Sequence, residues 1–162
     1  MTALAARSPF FTEWQNPVRG RASPWRLISS VAAPTAAAFD LFRDADWVQP
    51  TLAAFQRLLA LPENWDAHGG KRIRPENVQF AYQLLAQTLH PDTPAPQVVP
   101  LSHGGLQLEW HQKGIDLEVE VIRPNEVYAS FEDHRITGRD FDVALTVEFS
   151  VLAEPIRLLT LR

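Results

Sequence analysis

The chain changes its hydrophobic period near its middle. Up to about residue 89 the apolar positions recur at helical spacing, and from about residue 104 to 145 every second residue is apolar. In "DWVQPTLAAFQRLLAL", Val48, Leu52, Phe55 and Leu59 fall on one predicted helical face. Pro50 suits the first turn of that helix, where a missing N–H costs little. A shorter helix is predicted just upstream, in "TAAAFDLFRDADW". A further helix starts at Pro75 and lines up Val78, Ala81, Leu85 and Leu89. It stops at "HPDTPAP", because that run of prolines cannot continue a helix.

The second half reads as strands. "GGLQLEWHQKGIDLEVEV" alternates on both sides of Lys113-Gly114, a predicted two-residue hairpin loop. That loop sets Trp110 opposite Leu117, Leu108 opposite Val119 and Leu106 opposite Val121. All three pairs are apolar, and a slip of one residue would break them all. A three-residue loop at "RPN" then sets Val121 opposite Val127, Val119 opposite Ala129 and Leu117 opposite Phe131. "RDFDVALTV" adds Phe141, Val143 and Leu145 to the same face, and a closing helix with Pro155 in its first turns is predicted in the tail. The expected fold is α+β in two layers: N-terminal helices on one face of a roughly four-stranded antiparallel meander.

Between two predicted helices lies "LPENWDAHGGKRIRPENVQF". Its Asp66-x-His68 pair raises the question of a catalytic loop, but no third group lies near it in sequence. Gly69-Gly70 allows unusual backbone angles, Asp66 can close a turn, and Trp65 is expected to plug the corner from beneath. The structural account of this segment is therefore preferred.

Residues 1–35 have no sustained period. They mix Pro, Gly, Ser and Arg with Phe10, Phe11, Trp14 and Trp25. We read them as a locally basic arm that lies on its own domain or docks on a partner, with residues 36–162 forming the single α+β domain.

Composition narrows the choice of chemistry. The chain has 162 residues, 46% hydrophobic and 21% charged, with a formal net charge of −4. Nothing global draws it to nucleic acid. The absence of cysteine excludes a disulfide framework, a thiolate nucleophile and a cysteine zinc site. No run of apolar residues approaches a membrane span, and no secretory signal core stands at the start, so the expected location is cytoplasmic. There is no phosphate-binding glycine loop, serine elbow or zinc-spaced histidine pair. No cofactor is implied.

The alternation also defines a second, polar face. Gln107, Glu109 and His111 stand beside Asp116, Glu118 and Glu120, and next to Tyr128, Ser130 and Glu132. Glu109 falls opposite Glu118, and like charges across strands destabilise by up to about 1 kcal/mol. Water, Arg123 or Arg139, a metal or a basic partner are the candidates to offset this. A metal held here by oxygen ligands would suit a hard cation better than zinc.

Two of these stretches look familiar together. "NWDAHGGKRIRPE", followed by "GGLQLEW" and "DLEVEV", resembles a loosely defined set of small bacterial proteins of unknown function. They share an Asn-Trp-Asp corner and a Gly-Gly-x-x-Leu-Glu-Trp strand. The resemblance runs from about Leu58 to Leu159 and omits the arm. It implies a bacterial, soluble, small α+β protein and carries no catalytic residue; an aromatic is common in that set where this chain has His68.

The expected function is a non-catalytic protein-binding module, antitoxin-like, immunity-like or a subunit of a bacterial assembly. Its partner is another protein or a second copy of the chain. Phe10, Phe11, Trp14, Trp25, Glu109, Glu118, Glu120 and Tyr128 are the candidate contact residues, and no catalytic or metal residue is assigned. The alternative is an enzyme or metal-binding protein using the acidic face around Glu109 and Glu118, with His111 or Tyr128. A third reading is nucleic-acid binding through Arg19, Arg21, Arg26, Lys71, Arg72 and Arg74.

Overall fold

The computed structural model describes residues 44–161. The arm, with Phe10, Phe11, Trp14 and Trp25, lies outside the described residues, as does most of the short helix predicted upstream of Trp47. The elements run α1 (Val48–Leu59), α2 (Pro75–Thr88), β1 (Gln97–Pro100), β2 (Leu106–Gln112), β3 (Ile115–Arg123), β4 (Glu126–Asp133), β5 (Phe141–Leu145) and α3 (Ala153–Thr160). A short 3-10 turn, Ser150–Leu152, leads into α3.

The strands form one antiparallel sheet in the order β1-β2-β3-β4-β5. The register read from the alternation is the observed one: Trp110 pairs with Leu117, Leu108 with Val119 and Leu106 with Val121. Lys113 and Gly114 both take positive φ, 56° and 72°, as a tight two-residue hairpin turn requires. The pairs Val121–Val127, Val119–Ala129 and Leu117–Phe131 also hold. The turn between those two strands differs from the three-residue loop expected. Arg123 pairs with Glu126, so the turn is Pro124-Asn125, and the ladder shifts between Val121 and Arg123. The extra residue sits in that irregularity rather than in the loop.

A fifth strand, β1, pairs with β2. Its four residues end in Pro100, which an edge strand tolerates because the missing donor faces no neighbour.

The helices and the inner sheet face share one core. α1 lies against β1 and α2 against β3. The face expected on α2 is correct, with Val78, Ala81, Leu85 and Leu89 all buried. On α1 the stripe is rotated. Val48, Thr51, Ala54, Phe55 and Leu58 are buried, whereas Leu59 is exposed. Thr51 is polar in type but fully buried, so a reading by hydrophobicity alone follows Leu52 and Leu59 instead. α3 closes the core with Ile156 and Leu159. Lys113 Nζ caps its C-terminal end by donating to the carbonyls of Leu159 and Leu161.

The corner before α2 is a closed turn. Asp66 Oδ1 accepts hydrogen bonds from the backbone N–H of His68 and of Gly70, each at 2.8 Å. Those two donors hold the Asp66 carboxyl below its usual range. A Cβ on Gly70 would lie 2.7 Å from Asp66 Cγ, so the turn leaves room only for glycine there. Trp65 is not the plug expected: it is half-buried and outside the core, with its indole N–H donating to the Lys71 carbonyl at 3.1 Å. Trp47, with 0% exposure, is the fully buried indole instead. Ala67 takes φ +60° in this turn, a conformation that costs an L-residue roughly 1–2 kcal/mol. Ala67→Gly is therefore expected to raise stability by about 0.5–1 kcal/mol after the added chain entropy of glycine, read as a higher thermal midpoint.

The two motifs that carried the family resemblance meet in space. Lys71 N–H donates to the Ser102 carbonyl at 2.8 Å, and Arg74 N–H to that of Gly104 at 3.1 Å. Gly104 has φ +92°, and a Cβ there would come within 2.9 Å of the Arg72 carbonyl oxygen. A Cβ on Gly105 would lie 2.5 Å from the carbonyl oxygen of Val121. The glycine pair thus serves close backbone approach between corner and sheet. Asn77, fully buried on α2, completes the joint by donating from Nδ2 to the carbonyls of Gly104 and Ile122 at 2.9 and 3.0 Å.

At the far end of the sheet, Asp133 organises the β4–β5 connection. Its side chain is fully buried, and Arg135 donates to it from Nε (2.9 Å), Nη2 (3.1 Å) and the backbone N–H (3.0 Å). The guanidinium holds the Asp133 carboxyl down at about 2. A depressed carboxylate stabilises the fold above its unfolded value, near 3.8, and loses that contribution as pH falls towards 2. Acid unfolding between pH 4 and 2 is expected to be shallower in Asp133→Asn, which removes the titrating group.

Candidate functional site

With the helices on one side, the other face of the sheet is left uncovered by the described residues. Alternation and register arrange it in rows across the strands. One row runs Gln107, Glu120, Tyr128 and Ala144. The next runs Glu109, Glu118, Ser130 and Asp142. The last runs His111, Asp116 and Glu132. The sequence-predicted residues Glu109, Glu118, Glu120 and Tyr128 are therefore brought together on one surface. Tyr128 is 51% exposed, a large ring standing among carboxylates. Beside it lies a hollow of about 230 Å³ lined by Gln107, Glu118, Glu120, Tyr128, Ser130 and Asp142.

The opposed pair Glu109 and Glu118 is offset locally. Gln107 Nε2 donates to Glu118 Oε2 at 2.8 Å, and His111 Nε2 lies 3.4 Å from Glu109 Oε2. The arginines proposed for this task are elsewhere: Arg123 pairs with Glu126 and Arg139 with Glu154.

A histidine–aspartate cluster sits one row along. Asp116 is gripped by two imidazoles, His111 Nδ1 on Oδ1 at 2.8 Å and His134 Nε2 on Oδ2 at 2.7 Å. The two histidines hold the Asp116 carboxyl below its usual range. Its carboxylate in turn raises both imidazoles, with Glu109 adding to His111 and Glu132 and Asp140 adding to His134. His134 enters the row because its backbone N–H donates to the Gly114 carbonyl at 3.0 Å, continuing the β4 edge past the last strand residue.

Two residues of this surface escaped the sequence reading. Asp142 follows from the alternation of "RDFDVAL", whose apolar members alone were used. His134 continues the spacing of Tyr128, Ser130 and Glu132, but it lies beyond the end of β4, where a strand period carries no weight. The remaining histidine of interest, His68, is exposed on the corner with Nδ1 at 2.6 Å from the Asp66 carbonyl oxygen. That contact belongs to the turn, which also ties the His68 N–H to the Asp66 carboxylate.

No family model matches the chain, and no curated protein or solved structure matches it either. The likeness to small bacterial proteins thus rests on its two short motifs. What is defined is the class of architecture: an α+β domain with one covered and one open, acidic sheet face. Among the described residues no helix is long and apolar enough to cross a membrane.

Proposed function

We propose that this protein is a non-catalytic binding module whose open sheet face engages a basic surface of another protein. An antitoxin-like or immunity-like partner, or a subunit of a bacterial assembly, is the role that suits it. The observation that supports this reading is the face itself: carboxylates in adjacent rows around the exposed ring of Tyr128. An aromatic ringed by charge supplies apolar contact area with electrostatic selection of the partner. The aromatic arm offers a second contact region on the same chain.

The test is capture of a partner from native extract by the full-length chain, followed by binding of the purified partner. The partner should be basic, and its association should slow steeply as salt rises. Tyr128→Ala and the pair Glu118→Gln with Glu120→Gln should each weaken the complex while the fold survives. A partner whose affinity ignores salt and all three substitutions would refute the assignment of this face.

A further inference from the structure

We propose that His134, Asp116 and Glu132 form a binding site for a divalent transition-metal ion of the zinc, nickel and cobalt type, with His111 as a positioning residue. One ligand atom from each of the three lies within 4.8 Å of the others. Donor atoms around such an ion sit about 2.0–2.2 Å from it, which spaces tetrahedral donors roughly 3.3 Å apart, so side-chain rotation must close the widest gap by up to about 1.5 Å, and the hydrogen bond between His134 Nε2 and Asp116 Oδ2 gives way to the ion. Their placement is set by the backbone. Asp116 and Glu132 are direct partners in the β3–β4 ladder, and His134 is held to the β2–β3 turn through the Gly114 carbonyl.

The donor set selects the ion. Calcium asks for six to eight oxygens and magnesium for near-octahedral oxygen. One imidazole and two carboxylates instead match the mixed nitrogen and oxygen sets of zinc and its neighbours, with water free to complete the shell at an exposed site. This departs from the hard-cation expectation because His134, unseen in the alternation, adds the nitrogen. His111 holds Asp116 Oδ1 at 2.8 Å, which leaves Oδ2 directed at His134 Nε2. A hydrogen bond of that kind behind a metal-binding carboxylate is worth 10–100-fold in affinity. A divalent cation would also neutralise the opposed charges of Asp116 and Glu132.

The inference is independent of the partner reading, since it concerns the isolated chain. Metal-free full-length protein is titrated with zinc chloride and nickel chloride by calorimetry, and with magnesium chloride as contrast. Saturable one-to-one binding is expected for zinc and nickel but not for magnesium. His134→Gln and Glu132→Gln should each weaken it at least tenfold, with unchanged circular dichroism. His111→Gln should weaken it about tenfold yet keep the visible absorption of the cobalt-loaded protein, because the ligands themselves remain. Absence of saturable zinc binding up to about 1 mM, an affinity on the scale of only 4 kcal/mol, would overturn the proposal. So would binding that His134→Gln leaves intact, which would assign the ion to other histidines.

Discussion

Trp110→Ala is expected to lower the unfolding free energy by about 3–5 kcal/mol, the usual cost of emptying a buried aromatic site. Trp110 is 3% exposed and faces Leu117 in the core layer of the sheet. Its indole N–H donates to the Pro94 carbonyl at 2.8 Å, so it also ties the segment after α2 to β2. Collapse into the vacated space is resisted because the residues around it are anchored on the sheet. Urea denaturation should show a lower midpoint with an unchanged slope. Trp110→Phe keeps most of the volume and loses the N–H donor, so its cost should fall to about 1–2 kcal/mol. The same truncation at Trp65 should cost only about 1–2 kcal/mol, since that ring is half out of water's reach and gives up one hydrogen bond. Equal losses at Trp65 and Trp110 would mean that the corner, and not the sheet, holds the core.

Asn77→Ala is expected to cost about 2–3 kcal/mol, because two hydrogen bonds of a fully buried amide are lost at once and the Gly104 carbonyl keeps only the Arg74 N–H. The amide bridges Gly104, which precedes β2, and Ile122, near the end of β3. Asn77→Asp should be worse at neutral pH and partly recover in acid. A carboxylate there would face two carbonyl oxygens, and only its protonated form can donate. A pH-independent loss in Asn77→Asp would show that the bridge is not the source of the effect.

Much of the sheet could be read from the chain because its signals were redundant. Three apolar pairs around Lys113-Gly114 agreed on one register, and two positive-φ positions suited to a hairpin confirm it. β1 could not be read in this way. Four residues, Gln97–Pro100, bounded by Pro96 and Pro100, are too short for a period, and the strand exists because β2 offers it a partner. Thr51 and Leu59 show the other limit: a buried threonine and an exposed leucine on α1 invert the rule on which the helical stripe depends. For the candidate surface, register alone placed Glu109 opposite Glu118. It did not place His134, whose position depends on a single backbone hydrogen bond after β4 ends. The indole buried beneath the helices, Trp47 rather than Trp65, was likewise set by tertiary packing, with Tyr82 5.9 Å away ring to ring.

The bridge at Asn77 also has a consequence in time. Strands β2, β3 and β4 follow one another through tight turns, so their contacts are close in sequence and can form quickly. Asn77 reaches Ile122 across 45 residues, and its two acceptors become neighbours only after β2 and β3 have paired. The docking of α2 therefore falls late on the folding route. Asn77→Ala should act almost wholly on the unfolding limb of a chevron plot, with the refolding rate left close to that of the unaltered chain.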